Sequence, residues 1–189
     1  NAVNVIFVIK KNPRVKIGEI VFTGNDSFKA KRLRRAMKKT HQKSINFFVS
    51  SKLNEEEYEN DKINVVDFYN SKGYRNATIL KDSIYPINEK RIGIKIDLSE
   101  GNKYYYRNIS WVGNSVYPTE ALDQMLGIKG GDTYDKKTLH KRLGIGREEN
   151  PEEVSVKSSY QNSGYLMSQI DPAEIIVGAD SIDLELKIF

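Results

Sequence analysis

The sequence has no cysteine, only two histidines and no long apolar run. Without cysteine there is no disulfide framework, no thiolate-bound zinc and no thiol nucleophile. His41 and His140 stand apart from each other and from any spacing typical of metal ligands. The sequence also has no phosphate-binding loop, nucleophile elbow or pair of carboxylates in a catalytic pattern. We therefore predict no catalytic residue, no metal site and no cofactor, and a protein that is not an enzyme.

Targeting signals are missing as well. No apolar stretch approaches the roughly 20 residues of a membrane-spanning helix. Residues 1–10 (NAVNVIFVIK) lack the basic start and the small-residue cleavage site of a signal peptide, and they alternate like a β-strand. We expect the chain to be a fragment of a longer protein, in which other segments carry the localisation signals.

The charge of the chain is unevenly distributed. The 189 residues carry a net charge of +5, with 39% hydrophobic and 29% charged residues, which is typical of globular domains. Residues 15–101 hold 17 Lys and Arg against 12 Asp and Glu, whereas residues 102–189 hold 10 against 13. Because phosphate binding favours one continuous positive face, we do not predict that the chain binds nucleic acid.

The sequence repeats itself at an offset of about 90 residues. Residues 19–28 (EIVFTGNDSF) match residues 108–117 (NISWVGNSVY), and YNSKGY at 69–74 matches YQNSGY at 160–165. An alternating apolar pattern closes each copy, at 92–98 and again at 182–188. The anchors keep their order, so the repeat predicts two domains, residues 15–101 (unit one) and 102–189 (unit two). Residues 1–14 are then the closing strand of a preceding copy and a linker.

Each unit reads as strand, helix, helix, strand, strand. Alternating strands are predicted over 17–23 and 106–112, and the Gly-Asn turn that follows offers side-chain oxygens to cap a helix. In unit one we predict a first helix over 28–39, with Leu33, Ala36 and Met37 facing the core. A second helix is predicted over 54–71, with Ile63, Val66 and Tyr69 reaching the core.

Unit two differs in its second helix. Residues 144–151 (GIGREENP) contain two glycines and a proline, which disfavour a continuous helix. We therefore predict two shorter helices, over 135–143 and 152–161.

These features together resemble POTRA domains of BamA-family outer-membrane protein assembly factors. The resemblance rests on the strand–Gly-Asn–helix opening, on the helix that ends in YxxxGY, and on the closing strand that ends at Glu100 and Gly101. It covers the whole chain. It implies an α+β fold of two tandem POTRA domains, each with two helices packed on a three-stranded mixed sheet. It also implies that the second strand lies at a sheet edge and the third in the centre.

The resemblance implies candidate client-binding edge strands over 77–83 and 168–175. Unpaired N–H and C=O groups of an edge strand can accept an extended polypeptide by β-augmentation. The candidate residues are Ala77, Thr78, Ile79, Leu80, Lys81, Asp82, Ser83, Ser168, Gln169 and Ile170.

Two further candidate surfaces come from composition. The run at 29–43 (KAKRLRRAMKKTHQK) holds eight Lys or Arg. It is either a site for an anionic lipid surface or acidic protein, or the solvated face of an amphipathic helix. Its candidate residues are Lys31, Arg32, Arg34, Arg35, Lys38 and Lys39. The short linker Gly101, Asn102 and Lys103 is the candidate interdomain hinge, and the neighbouring tyrosines, Tyr104 among them, are expected to pack between the domains.

The functional expectation is a non-enzymatic binding and scaffold module of an outer-membrane β-barrel assembly machine. The resemblance implies a location on the periplasmic side of the outer membrane of a Gram-negative bacterium. It implies as partners unfolded outer-membrane proteins, accessory assembly lipoproteins or periplasmic chaperones, and a peripheral contact with the membrane surface, in a parent chain with a C-terminal membrane β-barrel. The alternative within the same fold is a module of a two-partner secretion or cell-division protein with one dedicated partner. A small α/β enzyme or nucleic-acid-binding domain would require a polar pocket or a basic face, and the sequence predicts neither.

Overall fold

A computed structural model describes residues 15–42, 51–146, 149–150 and 152–189. The predicted closing strand within residues 1–14 lies outside these ranges. Unit one contains, in order, β1 (Lys16–Thr23), α1 (Ala30–Ala36), α2 (Glu55–Asn70), β2 (Thr78–Asn88) and β3 (Arg91–Ser99). Unit two contains β4 (Tyr105–Val112), α3 (Thr119–Leu126), α4 (Lys136–Leu143), α5 (Val156–Asn162), β5 (Ile170–Val177) and β6 (Ser181–Ile188).

Each unit has one three-stranded mixed sheet with its last strand in the centre. The strand orders are β1-β3-β2 and β4-β6-β5. The central strand pairs parallel to the first strand and antiparallel to the second in both sheets. This arrangement confirms the predicted α+β fold and the predicted place of the second and third strands.

The alternating sequence of the central strands accounts for the layers. Ile94, Ile96 and Leu98 of β3 are buried under the helices, whereas Lys95 and Asp97 between them lie on the open face, where they form a salt bridge of 3.2 Å. Strand β6 repeats the pattern with every second residue buried. Each unit therefore has its own core on one side of its sheet and a polar face on the other.

The repeated Gly-Asn turn fits a close contact with the end of the central strand. Gly24 and Gly113 have φ of 76° and 82°, a conformation that favours glycine. A Cβ on Gly24 would lie 2.1 Å from the backbone oxygen of Leu98, and one on Gly113 would lie 2.2 Å from that of Ile188. The first strand thus leaves each sheet by crossing over the end of the central strand, where only a hydrogen atom fits.

The first helix is shorter than the sequence predicted. It ends at Ala36 rather than near residue 39, because Met37 adopts an extended conformation and the next three N–H groups bond to Asp61 instead of continuing the helix. The predicted side-chain cap at its start is also wrong, since Lys29 is the N-cap and makes no such bond.

The core-facing side of α2 was predicted only in part. Tyr69 is buried as expected, but Ile63 is 44% exposed and Val66 is only partly buried. The other buried positions of α2 are Tyr58, Asp61, Val65 and Asn70. Asp61 occupies a core-facing position that an apolar side chain would usually take, and this shifts the helix away from the predicted phase. No helix in the described part of the chain is long and apolar enough to cross a membrane.

The predicted interruption of the second helix in unit two is confirmed. Helix α4 ends at Leu143, capped by Gly144 in the left-handed conformation, and α5 begins at Val156 rather than at Glu152. The later start follows from a capping box, in which the side chains of Ser155 and Ser158 each accept a hydrogen bond from the other's backbone N–H.

We predict that Gly24→Ala and Gly113→Ala each destabilise their unit by at least about 2 kcal/mol, because strain at positive φ adds to a backbone clash. Gly178→Ala is the matched control. Gly178 also has positive φ (67°), but no atom lies within 4 Å of its Cβ position, so about 1 kcal/mol is expected. Urea unfolding followed by circular dichroism measures all three. Equal losses for the three variants would contradict the clash.

Candidate functional site

Strand β2 forms the open edge of the first sheet. It covers Thr78–Asn88. Six of the seven predicted edge residues, from Thr78 to Ser83, therefore lie in its first half, whereas Ala77 precedes the strand and is buried. Pro86 lies within the strand opposite Ile92. A proline inside a sheet is found where its nitrogen faces the open edge, since it has no N–H to give to the ladder. In an antiparallel pair the backbone groups of every second residue point to the same side, so those of Asp82 and Ile84 also face the open edge.

Two β-bulges interrupt this edge. The register of β2 against β3 shifts between Ile79 and Lys81 and between Pro86 and Asn88, so that Leu80 and Ile87 are the extra residues. Leu80 is 67% exposed and Ile87 is 43% exposed. The bulges thus place apolar side chains at both ends of the regular part of the edge.

Strand β5 forms the corresponding edge of the second sheet. Gln169 and Phe189 exchange backbone hydrogen bonds of 3.1 and 3.0 Å. Because bonded and non-bonded pairs alternate in an antiparallel ladder of regular register, the backbone groups of Pro172, Glu174 and Ile176 point away from β6. Pro172 has no N–H, so the outward row of donors on β5 is interrupted near its start.

The other candidate residues of unit two lie mostly before the strand. Ser168 is buried and Gln169 pairs with Phe189, whereas Ile170 is the first residue of β5 and is also buried. The edge therefore runs over Ile170–Val177 instead of 168–175.

The opposite edge of each sheet is covered at its start. Lys16 of β1 forms an antiparallel bridge with Lys52, and the N–H of Ile17 donates to the oxygen of Ser51 at 2.7 Å. In unit two, Tyr105 of β4 forms the same kind of bridge with Thr133. The loop between the first and second helices thus supplies backbone partners for the first strand, and the second strand remains the open edge.

The basic segment after α1 is held by a buried carboxylate. The Asp61 side chain accepts hydrogen bonds from the backbone N–H groups of Lys38, Lys39 and Thr40, at 2.7, 2.9 and 2.5 Å. The amide of Asn64 donates a fourth, at 3.0 Å. Burial raises the pKa of Asp61, but these hydrogen bonds outweigh it and hold the pKa below its ordinary value.

The candidate basic residues fall into two groups. Lys31, Arg32, Arg35, Lys38 and Lys39 are exposed. Arg34 is partly buried, and its guanidinium donates to the backbone oxygen of Ile20 at 3.2 Å. Five cations therefore form an exposed basic patch, and the sixth ties α1 to β1.

The loop after α2 joins the two units. The N–H of Tyr104 donates to the oxygen of Gly73 at 2.9 Å, and the amide of Asn76 donates to the Tyr104 hydroxyl at 2.8 Å. A Cβ on Gly73 would lie 2.8 Å from the side chain of Lys103 and 2.9 Å from that of Thr133. Tyr104 is 5% exposed and bonds to unit one, whereas Tyr105 is 38% exposed and Tyr106 lies in the core of unit two, so the contact predicted for the tyrosines is seen for Tyr104.

A salt bridge crosses the same junction. The Arg75 guanidinium lies 2.5 Å from the Glu174 carboxylate, which also accepts a hydrogen bond of 2.9 Å from the Tyr134 hydroxyl. Burial lowers the pKa of Arg75, but its bond to Glu174 outweighs this and raises the pKa overall. Burial and then the charge of Glu174 raise the pKa of Tyr134. Neither Arg75 nor Glu174 stood out in the sequence, because 99 residues separate them.

The candidate hinge has bonds on both sides. Glu100, directly before it, accepts hydrogen bonds from Ser27 and from the Tyr69 hydroxyl, the latter at 2.8 Å. The Asn102 side chain donates to the backbone oxygen of Ala179 in unit two at 3.0 Å. The Lys103 ammonium lies 5.7 Å from the centre of the Tyr105 ring. Bending at the linker would have to break some of these contacts, and the hinge stays a prediction.

A groove of about 510 Å³ lies between the helices of the two units. Its lining includes Ile63, Phe68, Lys38 and Lys136. In the part of the chain that the structure describes, no group of three or more His, Asp or Glu side chains is arranged to hold a metal ion.

Comparison with known proteins identifies the fold of both units. The model of the POTRA family, described as surface antigen variable number repeat, matches residues 15–101 and 104–188. The chain is 27% identical over 173 residues to the outer membrane protein assembly factor BamA of Neisseria meningitidis serogroup B, covering 90% of this chain and 20% of that protein. It is 25% identical over 130 residues to a putative outer membrane protein assembly factor of Treponema pallidum, covering 66% of this chain and 15% of that protein.

Solved structures agree in fold. The crystal structure of Haemophilus influenzae BamA POTRA3-5 has a TM-score of 0.64 at 18% identity, covering 96% of this chain and 68% of that chain. Haemophilus ducreyi BamA lacking POTRA domains 1–3 has a TM-score of 0.61 at 14% identity, covering 93% of this chain and 29% of that chain. The chain spans a fifth or less of the length of the curated relatives it matches.

We predict that Asp61→Asn costs about 1–3 kcal/mol of stability at pH 7, because a neutral amide replaces the carboxylate that accepts three backbone N–H groups. A depressed folded-state pKa contributes stability above the unfolded pKa of about 4, and this is lost as the pH falls through the folded value. The difference between the two proteins should therefore shrink below about pH 4. Urea unfolding between pH 2.5 and 7 measures it. Glu56→Gln, at an exposed position of the same helix, is the control, and a pH-independent difference for Asp61→Asn would rule out the charge effect.

For the junction we predict a coupling energy of about 0.5–3 kcal/mol between Arg75 and Glu174, in a double-mutant cycle of Arg75→Ala and Glu174→Gln. The exposed pair Arg107 and Asp183 has the same 2.5 Å separation within unit two and should give about 0.2–1 kcal/mol. Unfolding free energies of the seven proteins, the wild type and three variants for each pair, measure both couplings. A junction coupling no larger than that of the exposed pair would mean that the salt bridge does not hold the units together.

Proposed function

The chain belongs to the POTRA family, and on that basis we propose that it is a non-enzymatic binding and scaffold module of an outer-membrane protein assembly factor. In this proposal the two units lie on the periplasmic side of the outer membrane of a Gram-negative bacterium. They receive unfolded outer-membrane proteins and dock accessory subunits or chaperones, in a parent chain with a membrane β-barrel. The curated relatives that match are named as assembly factors, which favours this function over the secretion or cell-division alternative.

The observation that carries the proposal is the open edge of the second strand in each unit. The loop between the first and second helices covers the start of β1 and β4. On the outer side of β2 and β5, by contrast, backbone N–H and C=O groups point away from the sheet. Extended polypeptides add to such edges through main-chain hydrogen bonds, which depend little on the sequence of the client. An unfolded β-barrel protein is a client of this kind, since its strands are extended and alternate in polarity.

Of the two edges, β2 fits an added strand better. Its proline lies near the turn at the end of the strand, so the stretch before it, with Asp82 and Ile84 facing outward, is uninterrupted by proline. On β5 the proline comes early, and the side chain of Glu174 is engaged by Arg75 of unit one. Exposed apolar side chains lie on both edges, Leu80 and Ile84 on β2 and Ile175 and Ile176 on β5, so the choice rests on the position of the proline and on Glu174. We therefore assign the first binding step to β2.

The basic patch suits a second, weaker role. Lys31, Arg35 and Lys39 are exposed among the five cations and lie on a different element from the open edge. An anionic membrane surface or an acidic partner would gain on the order of 1 kcal/mol per cation near it, and the gain would fall with salt. This contact would orient the module without competing for the edge.

The test is an NMR titration of the isotopically labelled chain with a peptide that has the alternating sequence of an outer-membrane barrel strand. We expect weak, saturable shifts of the amides of β2, larger than those of β5. The same peptide with a central proline is the control and should bind more weakly. Shifts confined to the basic patch, and abolished by salt, would replace edge binding with charge attraction, and the absence of any shift would refute client binding.

A substitution separates the two edges. Ile84→Pro removes an outward N–H from β2, and Ile176→Pro removes the equivalent group from β5. We predict that Ile84→Pro weakens peptide binding about tenfold, the loss of one or two backbone hydrogen bonds, whereas Ile176→Pro leaves it within twofold. Thermal unfolding checks that both variants fold, and Ile84→Lys, which places a charge on the edge, replaces the proline if it does not. Equal effects of the two prolines would contradict the assignment to β2.

A further inference from the structure

The loop that follows α2 in unit one has a counterpart in unit two, with the same backbone hydrogen bond. After α2, the N–H of Tyr74 donates to the oxygen of Tyr69 at 3.1 Å. After α5, the N–H of Tyr165 donates to the oxygen of Tyr160 at 3.0 Å. The two loops therefore leave their helices in the same way, and their surfaces can be compared residue by residue.

The surfaces of the two loops differ. At the positions of Arg75 and Asn76, which bind unit two, the second loop has Leu166 and Met167. Leu166 is 70% exposed, Met167 is 87% exposed and Tyr165 before them is 53% exposed. We call these three residues the apolar tip. Three large apolar side chains in a row on a surface loop indicate a contact that is absent from this chain.

The glycines of the two loops show the same contrast. Gly73 packs against Lys103 and Thr133 of unit two so closely that a Cβ would clash. Gly164 has φ of 94°, and a Cβ there would have no atom within 4 Å. The glycine of the first loop lies in a domain junction, and that of the second lies on an open surface of the described chain.

A buried hydroxyl near the apolar tip supports the comparison independently. The Tyr69 hydroxyl donates to Glu100, the residue that follows β3, at 2.8 Å. Tyr160, its counterpart in unit two, is 2% exposed, and none of the described residues accepts a hydrogen bond from its hydroxyl. A buried hydroxyl without a partner costs stability, so an acceptor is expected there. By the repeat, that acceptor would follow Phe189.

The apolar tip lies where the chain leaves unit two. Phe189 pairs with Gln169, two residues after Met167, through backbone hydrogen bonds of 3.0 and 3.1 Å. In unit one the chain leaves at the corresponding place and leads into the domain that packs on the loop after α2. The apolar tip and the exit of the chain are thus on the same end of unit two.

We propose that the apolar tip is the docking surface for a further domain that follows Phe189 in the parent protein. The linker to that domain places an acceptor on the Tyr160 hydroxyl, as Glu100 does on Tyr69. The domain presents an apolar face to Leu166 and Met167, in contrast to the acidic Glu174 that meets Arg75 in the first junction. The matched BamA of Neisseria meningitidis, of which this chain covers 20%, has the length for such a domain.

The first test compares this chain with the chain extended through the next domain of its parent reading frame. Amide hydrogen exchange and methyl NMR report on the apolar tip in both. We expect the amides of Tyr165–Ser168 to exchange at least tenfold more slowly in the extended protein, and the Met167 methyl signal to shift. The double variant Leu166→Arg and Met167→Asn, which copies the first loop, should lose this protection. Val154→Asn, at another exposed apolar position (84%), should not.

The second test uses the tyrosine hydroxyls. Tyr69→Phe should lower the melting temperature of both proteins, because its partner Glu100 is present in both. Tyr160→Phe should lower it only in the extended protein, where the linker supplies the acceptor. A Tyr160→Phe variant that behaves alike in the two proteins would refute the acceptor.

Other outcomes overturn the docking. Unchanged exchange at the apolar tip on extension, or a parent chain without a domain after Phe189, would refute it. Concentration-dependent shifts of Leu166 and Met167 in the 189-residue chain would assign the surface to a second copy, and shifts caused by the strand peptide would assign it to clients. These readouts do not depend on peptide binding at β2, so the docking and the proposed function can fail separately.

Discussion

The central position of the last strand is the constraint on which the rest of each unit depends. Because β3 and β6 lie between the two strands that precede them, the first and second strands are both edges. A three-stranded sheet in this order cannot bury both edges within the unit. Backbone from the loop between the helices covers the start of the first strand, whereas the second strand stays open, interrupted by a proline and two bulges in β2 and by a proline alone in β5.

The same constraint places the domain junction. The central strand ends beside the loop that follows the second helix, so the chain leaves each unit next to that loop. In unit one the loop meets the next domain through Arg75, Asn76 and the backbone of Gly73. The module is therefore a series in which the end of one domain is part of the surface that receives the next. Serial contacts of this kind limit the angles between domains more than the short linker alone would.

The sequence predicted the elements that depend on local pattern and missed those that depend on long-range partners. The alternating strands, the turns and the interrupted helix at Gly144 were predicted within a few residues, because periodicity and glycine or proline act locally. The end of α1 was wrong because Asp61, 21 residues beyond Thr40, accepts the N–H groups that would have continued the helix. Ile63 was assigned to the core for the same reason, since a buried aspartate breaks the apolar pattern of its face.

The repeat in the sequence by itself determined that there are two domains of one fold, because duplicated strand, turn and helix signals specify duplicated structure. It also identified the segments of the chain that contain the candidate surfaces. Only the tertiary structure decided which backbone groups face outward, that Arg34 is tied to a strand while its neighbours are exposed, and that Glu174 meets Arg75 across 99 residues. The alignment of the strands decides which backbone groups face outward, which side chains are buried and which distant residues meet. No local pattern in the sequence encodes that alignment.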